Sequence, residues 1–154
     1  MSNIQEIIAE FGRSIGLDGL ALDEGNCCTL QFDAQVVTIE HLPDSDELYF
    51  YTRVGIVPAH EATRLRLFTF LLEADCFFRR TSGGVLGVDM EREAVVYTNK
   101  VGVGGWLNAN LLGEYMQAFV NLAEEFARQL RDIDAQAPEA GGAAPEPSGM
   151  ALRV

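Results

Sequence analysis

The sequence predicts an α+β fold of order α-β-β-β-α-β-β-α, a mostly antiparallel sheet packed by helices. Three observations carry that expectation. Apolar residues recur at helical spacing near both ends, as Ile4, Ile7, Ile8, Phe11 and Ile15, and again as Leu112, Tyr115, Phe119, Leu122, Phe126 and Leu130. Between them, three successive segments alternate apolar with polar residues, as half-buried strands do. The links Asp33-Ala34-Gln35 and Pro43-Asp44-Ser45-Asp46 have the composition of tight turns, which makes those strands a meander.

Each element has a local reason. Ser2 and Gln5 form a capping-box pattern at the start of the first helix, and Gly16 supplies its stop. "CCTLQFD" sets Cys28, Leu30 and Phe32 on one face, "VVTIEHL" sets Val37 and Ile39, and "ELYFYTRVG" sets Leu48, Phe50, Thr52 and Val54. The opposite face holds polar residues mixed with tyrosines. Pro58 introduces a helix through "HEATRLRLFTFLLEAD". "GVLGVD" and "AVVYTNKV", joined by a turn at Glu91-Arg92-Glu93, read as a hairpin, and Asn108 is placed to cap the last helix. A domain over residues 1–133 is therefore expected. The Ala/Pro/Gly-rich remainder, residues 134–154, has the composition of a disordered tail.

With 154 residues, 48% of them hydrophobic, the chain suffices for one domain with a real core. Its formal net charge of -12 repels phosphate backbones, so non-specific nucleic-acid binding is excluded. The first residues, "MSNIQEIIAEFGRSIG", lack a basic leader and place Glu6 and Glu10 among the apolar positions, unlike a signal peptide. No apolar run approaches the roughly 20 residues a membrane span needs, so no membrane insertion is expected. Adjacent Cys27 and Cys28 point to opposite faces of a strand and are poor disulfide partners. The three cysteines read as reduced, small buried apolar groups of a cytoplasmic protein.

The middle helix is unusual. Leu65, Phe68 and Leu72 fall on one side of its helical wheel, while Leu67, Phe70, Leu71 and Ala74 lie broadly opposite. A surface helix needs one apolar face, and this one has two. A second layer of the same chain or a second subunit must cover the other. One further helix and five strands are too few to hide both faces and Phe77 and Phe78 besides, which favours a homodimer across a two-fold axis. Leu65, Phe68, Leu72, Phe77 and Phe78 are the expected interface, with Arg79 and Arg80 at its rim.

Chemistry is not indicated. "TSGGVLG" lacks the lysine and hydroxyl of a phosphate-binding loop, and "VGVGGWL" has the wrong glycine spacing for a dinucleotide site. There is no nucleophile elbow, H-E-x-x-H pair or cysteine–histidine signature. His60-Glu61 reads as a helix start and Asp44, Asp46 and Glu47 as a turn. His41 and His60 with the thiols make a poor metal set. The expectation is a protein without catalytic residues, cofactor or metal.

Four stretches resemble a known family: "GLDGLALDEGNCCTLQFD", "LYFYTRVGIVP", "LLEADCFF" and "GGVLGVDMEREAVVYTNKV", followed by the amphipathic last helix. Together they resemble the type III secretion chaperones of the Tir-chaperone (CesT-like) family, over about Ile4 to Arg131. Asp75 stands where that family usually has Asn, and "VGVGGWLNANL" replaces its proline-bearing lead into the last helix. The Gly-Gly there is also similar to a YbjN-like regulator family of shared fold, whose members would bind folded partners as regulators or adaptors. The chaperone resemblance implies a bacterial, cytoplasmic homodimer that binds the N-terminal region of a secreted effector in extended form and keeps it soluble and secretion-competent. A secretion-apparatus ATPase is a further implied partner. It places dimer contacts on the second helix, and effector contacts on the first helix and sheet, here Ile4, Ile8, Val36, Tyr49 and Tyr51.

Overall fold

The computed structural model describes residues 4–136. Helix α1 (Ile4–Ser14) is followed by strands β1 (Cys27–Phe32), β2 (Gln35–Leu42) and β3 (Glu47–Ile56). Helix α2 (Glu61–Asp75) runs into a single 3-10 turn (Cys76–Phe78), the hairpin β4 (Val85–Asp89) and β5 (Ala94–Gly102), and helix α3 (Ala109–Ala135). The five strands lie in the order β1-β2-β3-β5-β4, and all four pairings are antiparallel. β1 and β4 are the two edges.

All three helices pack on one face of the sheet. The alternation read from the sequence sets that face: Leu30, Val37, Ile39, Leu48, Phe50, Val95 and Tyr97 are buried beneath them. An aromatic stack fills the centre. The Tyr97 ring lies 4.8 Å from Phe119 at 14° and 5.3 Å from Phe126, and Phe50 reaches Phe119 at 5.9 Å. The Tyr97 hydroxyl donates to the Thr81 carbonyl at 2.8 Å, which ties the loop after α2 to the core. Burial pushes the Tyr97 phenol up from its ordinary pKa.

Two glycines permit close approach. A Cβ on Gly12 would stand 2.5 Å from Leu20 Cβ, because the loop after α1 folds back across the helix. A Cβ on Gly55, beside the bulge in β3, would stand 2.9 Å from Leu130 Cδ1 at the far end of α3.

Several expectations shift in detail. Asn108 caps α3 as expected, its Oδ1 accepting from Leu111 N–H at 3.0 Å. In the α3 stripe Tyr115 is exposed, whereas Met116, Val120, Ala123 and Ala127 join the core, since a helix against both sheet and neighbours buries a wide arc. α3 extends to Ala135, past the expected boundary at 133, and the rest of the tail from 137 lies outside the described residues, as does Ser2 of the capping box. Gln5 Oε1 accepts from Leu22 N–H at 3.2 Å. His60 is the N-cap of α2 but makes no side-chain capping bond; its Nδ1 lies 3.5 Å from the Thr63 hydroxyl.

Candidate functional site

α2 keeps two apolar faces. Leu67, Leu71 and Ala74 are buried against α3 and the sheet, while Phe70 meets the edge of the Phe126 ring at 6.5 Å. On the other side Leu65 is 67% exposed and Leu72 75%, with Phe68 half-buried between them. Phe68 joins two depressions into one strip. One lies at the start of the helix beside Leu65 and Arg64. The other is an open groove of about 540 Å³ between α2 and β4, lined by Phe68, Leu71, Leu72, Leu86, Val88 and Met90 with Asp75.

Asp75 fixes the geometry of that groove. Its Oδ1 accepts from the Leu86 N–H at 2.9 Å, so the last turn of α2 is bonded to the edge strand. Burial pushes its carboxyl above the usual range, partly countered by that hydrogen bond. The bond needs only an acceptor oxygen there, which Asn would supply equally well.

Phe77 and Phe78 are exposed and adopt φ of 60° and 56°, left-handed values that bulky residues rarely take. They follow α2 but do not line its groove. The arginines behave differently from each other. Arg79 Cζ lies 5.6 Å over the Phe77 ring, whereas Arg80 turns back, 4.9 Å over Phe70 with Nη2 donating to Gln129 Oε1 at 3.0 Å. Arg80 therefore closes the seam between α2 and α3 and does not rim the bare strip. Cys76 is exposed, contrary to the expectation of three buried thiols; only Cys28 is fully buried, and burial raises its pKa to about 11.

The helix-free face of the sheet is the second surface. Tyr49 and Tyr51 both project from it, half-buried among their cross-strand neighbours Glu40, Lys100, Thr38 and Thr98. Tyr49 OH donates to Glu47 Oε2 at 3.2 Å, and Lys100 Nζ contacts Glu47 Oε1 at 2.6 Å while lying 5.6 Å over the Tyr49 ring. That Lys100 contact holds the Glu47 carboxyl below its ordinary range. Val36 is 53% exposed on the same face. The α1 positions divide: Ile4 is half-buried at the helix start, but Ile8 is 0% exposed and sits wholly within the core. In this position Ile8 offers no surface, because Ile7, Ile8 and Phe11 form the stripe that seats α1.

A profile of the Tir chaperone protein (CesT) family matches residues 6–127. The chain belongs to that family. The matched span runs from α1 nearly to the end of α3, so it takes in both surfaces. No curated protein sequence matches. Among solved structures, the ExsC–ExsE complex is similar with a TM-score of 0.71 and 23% identity, covering 82% of this chain and 92% of the other. The Yersinia pestis type III secretion chaperone SycH, solved with a stable fragment of YscM2, gives 0.60 and 16%, covering 79% and 98%. YbjN of E. coli gives 0.60 and 11%, covering 81% and 89%. These likenesses concern the fold.

Sequence reasoning missed the share of β4 in the groove of this CesT-family chain. Leu86, Val88 and Met90 alternate along β4 and into the turn after it, so all three fall on one face of this edge strand, the face that borders α2. Among the described residues, no helix is long and apolar enough to cross a membrane, and no group of three or more His, Cys, Asp or Glu is placed to hold a metal ion.

Proposed function

We propose that the protein is a type III secretion chaperone: two copies pair through α2, and the pair holds the N-terminal region of a secreted effector in extended form, soluble and competent for export. One observation carries this reading. A member of the CesT family presents a bare apolar strip along α2 and the β4 edge, where Leu65 and Leu72 stand exposed on either side of Phe68. Leu65, Phe68 and Leu72 with the β4 side chains meet their twins across the two-fold axis, each buried Leu or Phe contributing ~1.5–3 kcal/mol. Phe77 and Phe78 border that contact.

The effector segment is held on the remaining surfaces, along α1 near Ile4 and over the sheet at Val36, Tyr49 and Tyr51. Ile8 serves by keeping α1 seated. An unfolded segment can add a strand to a sheet edge while its side chains enter apolar patches, so binding needs no catalysis and no cofactor. Two of the similar solved structures are themselves complexes with a second protein. The work is done in the bacterial cytoplasm, with a secretion-apparatus ATPase as the receiving partner. The family match favours this over a YbjN-like regulator, which would hold a folded partner.

Co-expression with an N-terminal effector fragment tests it. The expected product is a stable complex of two chains to one fragment, with the fragment protease-shielded but unfolded. Tyr49→Ala is expected to weaken capture several-fold and leave the chaperone pair whole. Equal recovery of every secreted protein from a strain lacking this chain would contradict the reading.

A further inference from the structure

The sheet has two edges, and they differ in what they offer. β4 adjoins the apolar strip that a second copy takes. β1 lies at the far side of the sheet, and its outward backbone groups follow from the register. Asn26 C=O accepts from His41 N–H at 2.9 Å, so Asn26, Cys28, Leu30 and Phe32 turn their backbone groups toward β2. Cys27, Thr29 and Gln31 turn theirs outward. Those of Cys27 are taken, the N–H donating to Asp23 Oδ1 at 2.9 Å and the C=O accepting from Asp23 N–H at 2.8 Å. Thr29 and Gln31 have no backbone partner on that side among the described residues, and both are exposed. A short run of ladder stands open there.

The charge of the molecule is not spread evenly around that edge. Residues 4–42, which build α1, β1 and β2, contain seven acids against one base, Arg13. Residues 61–102, which build α2, β4 and β5, contain six acids and six bases. Solubility alone would be served by an even distribution. Asp23 and Glu24 precede the open ladder, Asp33 follows it, and Glu40 stands across from Cys27 on the helix-free face. The field is felt locally: burial first, then the Glu40 and Asp23 carboxylates, push the Cys27 thiol up.

We infer that the segment this chaperone captures is cationic, seated as an added strand on β1 with Lys or Arg side chains facing the carboxylates of the Asp23 loop, the β1–β2 turn and Glu40. This rests on the reading of the protein as a holder of extended clients. Backbone pairing at Thr29 and Gln31 supplies register, and charge supplies selection and fast capture.

Three labelled peptides of equal length test it, alternating the same apolar residues with Lys, Gln or Glu and titrated into the full-length chain by fluorescence anisotropy. The Lys peptide is expected to bind about tenfold or more tightly than the Gln peptide at low salt, with the Glu peptide weakest and the ranking collapsing near 0.5 M salt. Combined Asp23→Asn, Glu24→Gln, Asp33→Asn and Glu40→Gln should abolish the preference; Asp23→Asn keeps the acceptor that Cys27 N–H requires. A matched set on α3, Glu114→Gln, Glu124→Gln, Glu125→Gln and Asp132→Asn, should leave it intact. Equal loss from both sets would overturn the placement on β1. Equal, salt-insensitive binding of all three peptides would overturn the charge inference and leave the chaperone reading standing. Binding of none would defeat both.

Discussion

Asp75 shows how much one carboxylate does in this fold. Its Oδ1 bonds the end of α2 to the β4 backbone while its charge sits partly buried beside Leu72 and Leu86. Because its pKa is raised in the folded state, the native chain binds the proton more readily than the unfolded one, and stability falls as pH rises from the ordinary carboxylate range through the folded value. Asp75→Asn keeps the acceptor and removes the buried charge. The expected outcome is a melting temperature raised by a few degrees at pH 7, with the gain vanishing below about pH 4, as checked by calorimetry across pH. The sequence marked position 75 only as a departure from a family pattern; its bond to Leu86 is a tertiary fact. Ile8 is a similar case, since a helical stripe reads alike whether it faces the core or a guest. Arg80 shows the limit most plainly, for nothing in "FFRR" distinguishes the guanidinium that turns back to Gln129 from the one that stays beside Phe77.

Among elements, α2 is the one whose sequence said most. Seven apolar residues between Leu65 and Ala74, about three turns, fall on two opposed arcs, and that arithmetic survives folding, because helical period is a property of the backbone. The structure buries Leu67, Leu71 and Ala74 and leaves Leu65 and Leu72 bare. Since these two are exposed within one protomer, a charge there costs the isolated subunit little. Leu65→Asp and Leu72→Asp are therefore expected to give folded monomers, with circular dichroism unchanged and the solution mass halved, because only a desolvated interface penalises the carboxylate. An unaltered dimer from both variants would remove α2 from the interface. The strands were legible from alternation and turn chemistry. The left-handed turn at Phe77 and Phe78 was not, since neither residue favours positive φ and only the short path from α2 to β4 imposes it.

At the scale of the whole molecule, the α+β order was readable because each element carries its own periodicity and each link its own turn residues. Which face of the sheet lies open, which edges are free, and where the charge gathers became visible only once β1 and β4 stood at opposite sides. In the proposed function, that arrangement separates two tasks: an apolar flank for a second copy, and an acidic edge and tyrosine-bearing face for a client. The account depends on the first of these. Light scattering on the purified full-length chain at micromolar concentration tests it most directly. The predicted result is a single species of twice the 16.9 kDa chain mass, independent of salt because the contact is apolar. A folded species of 16.9 kDa, its α2 strip left in water, would contradict the account.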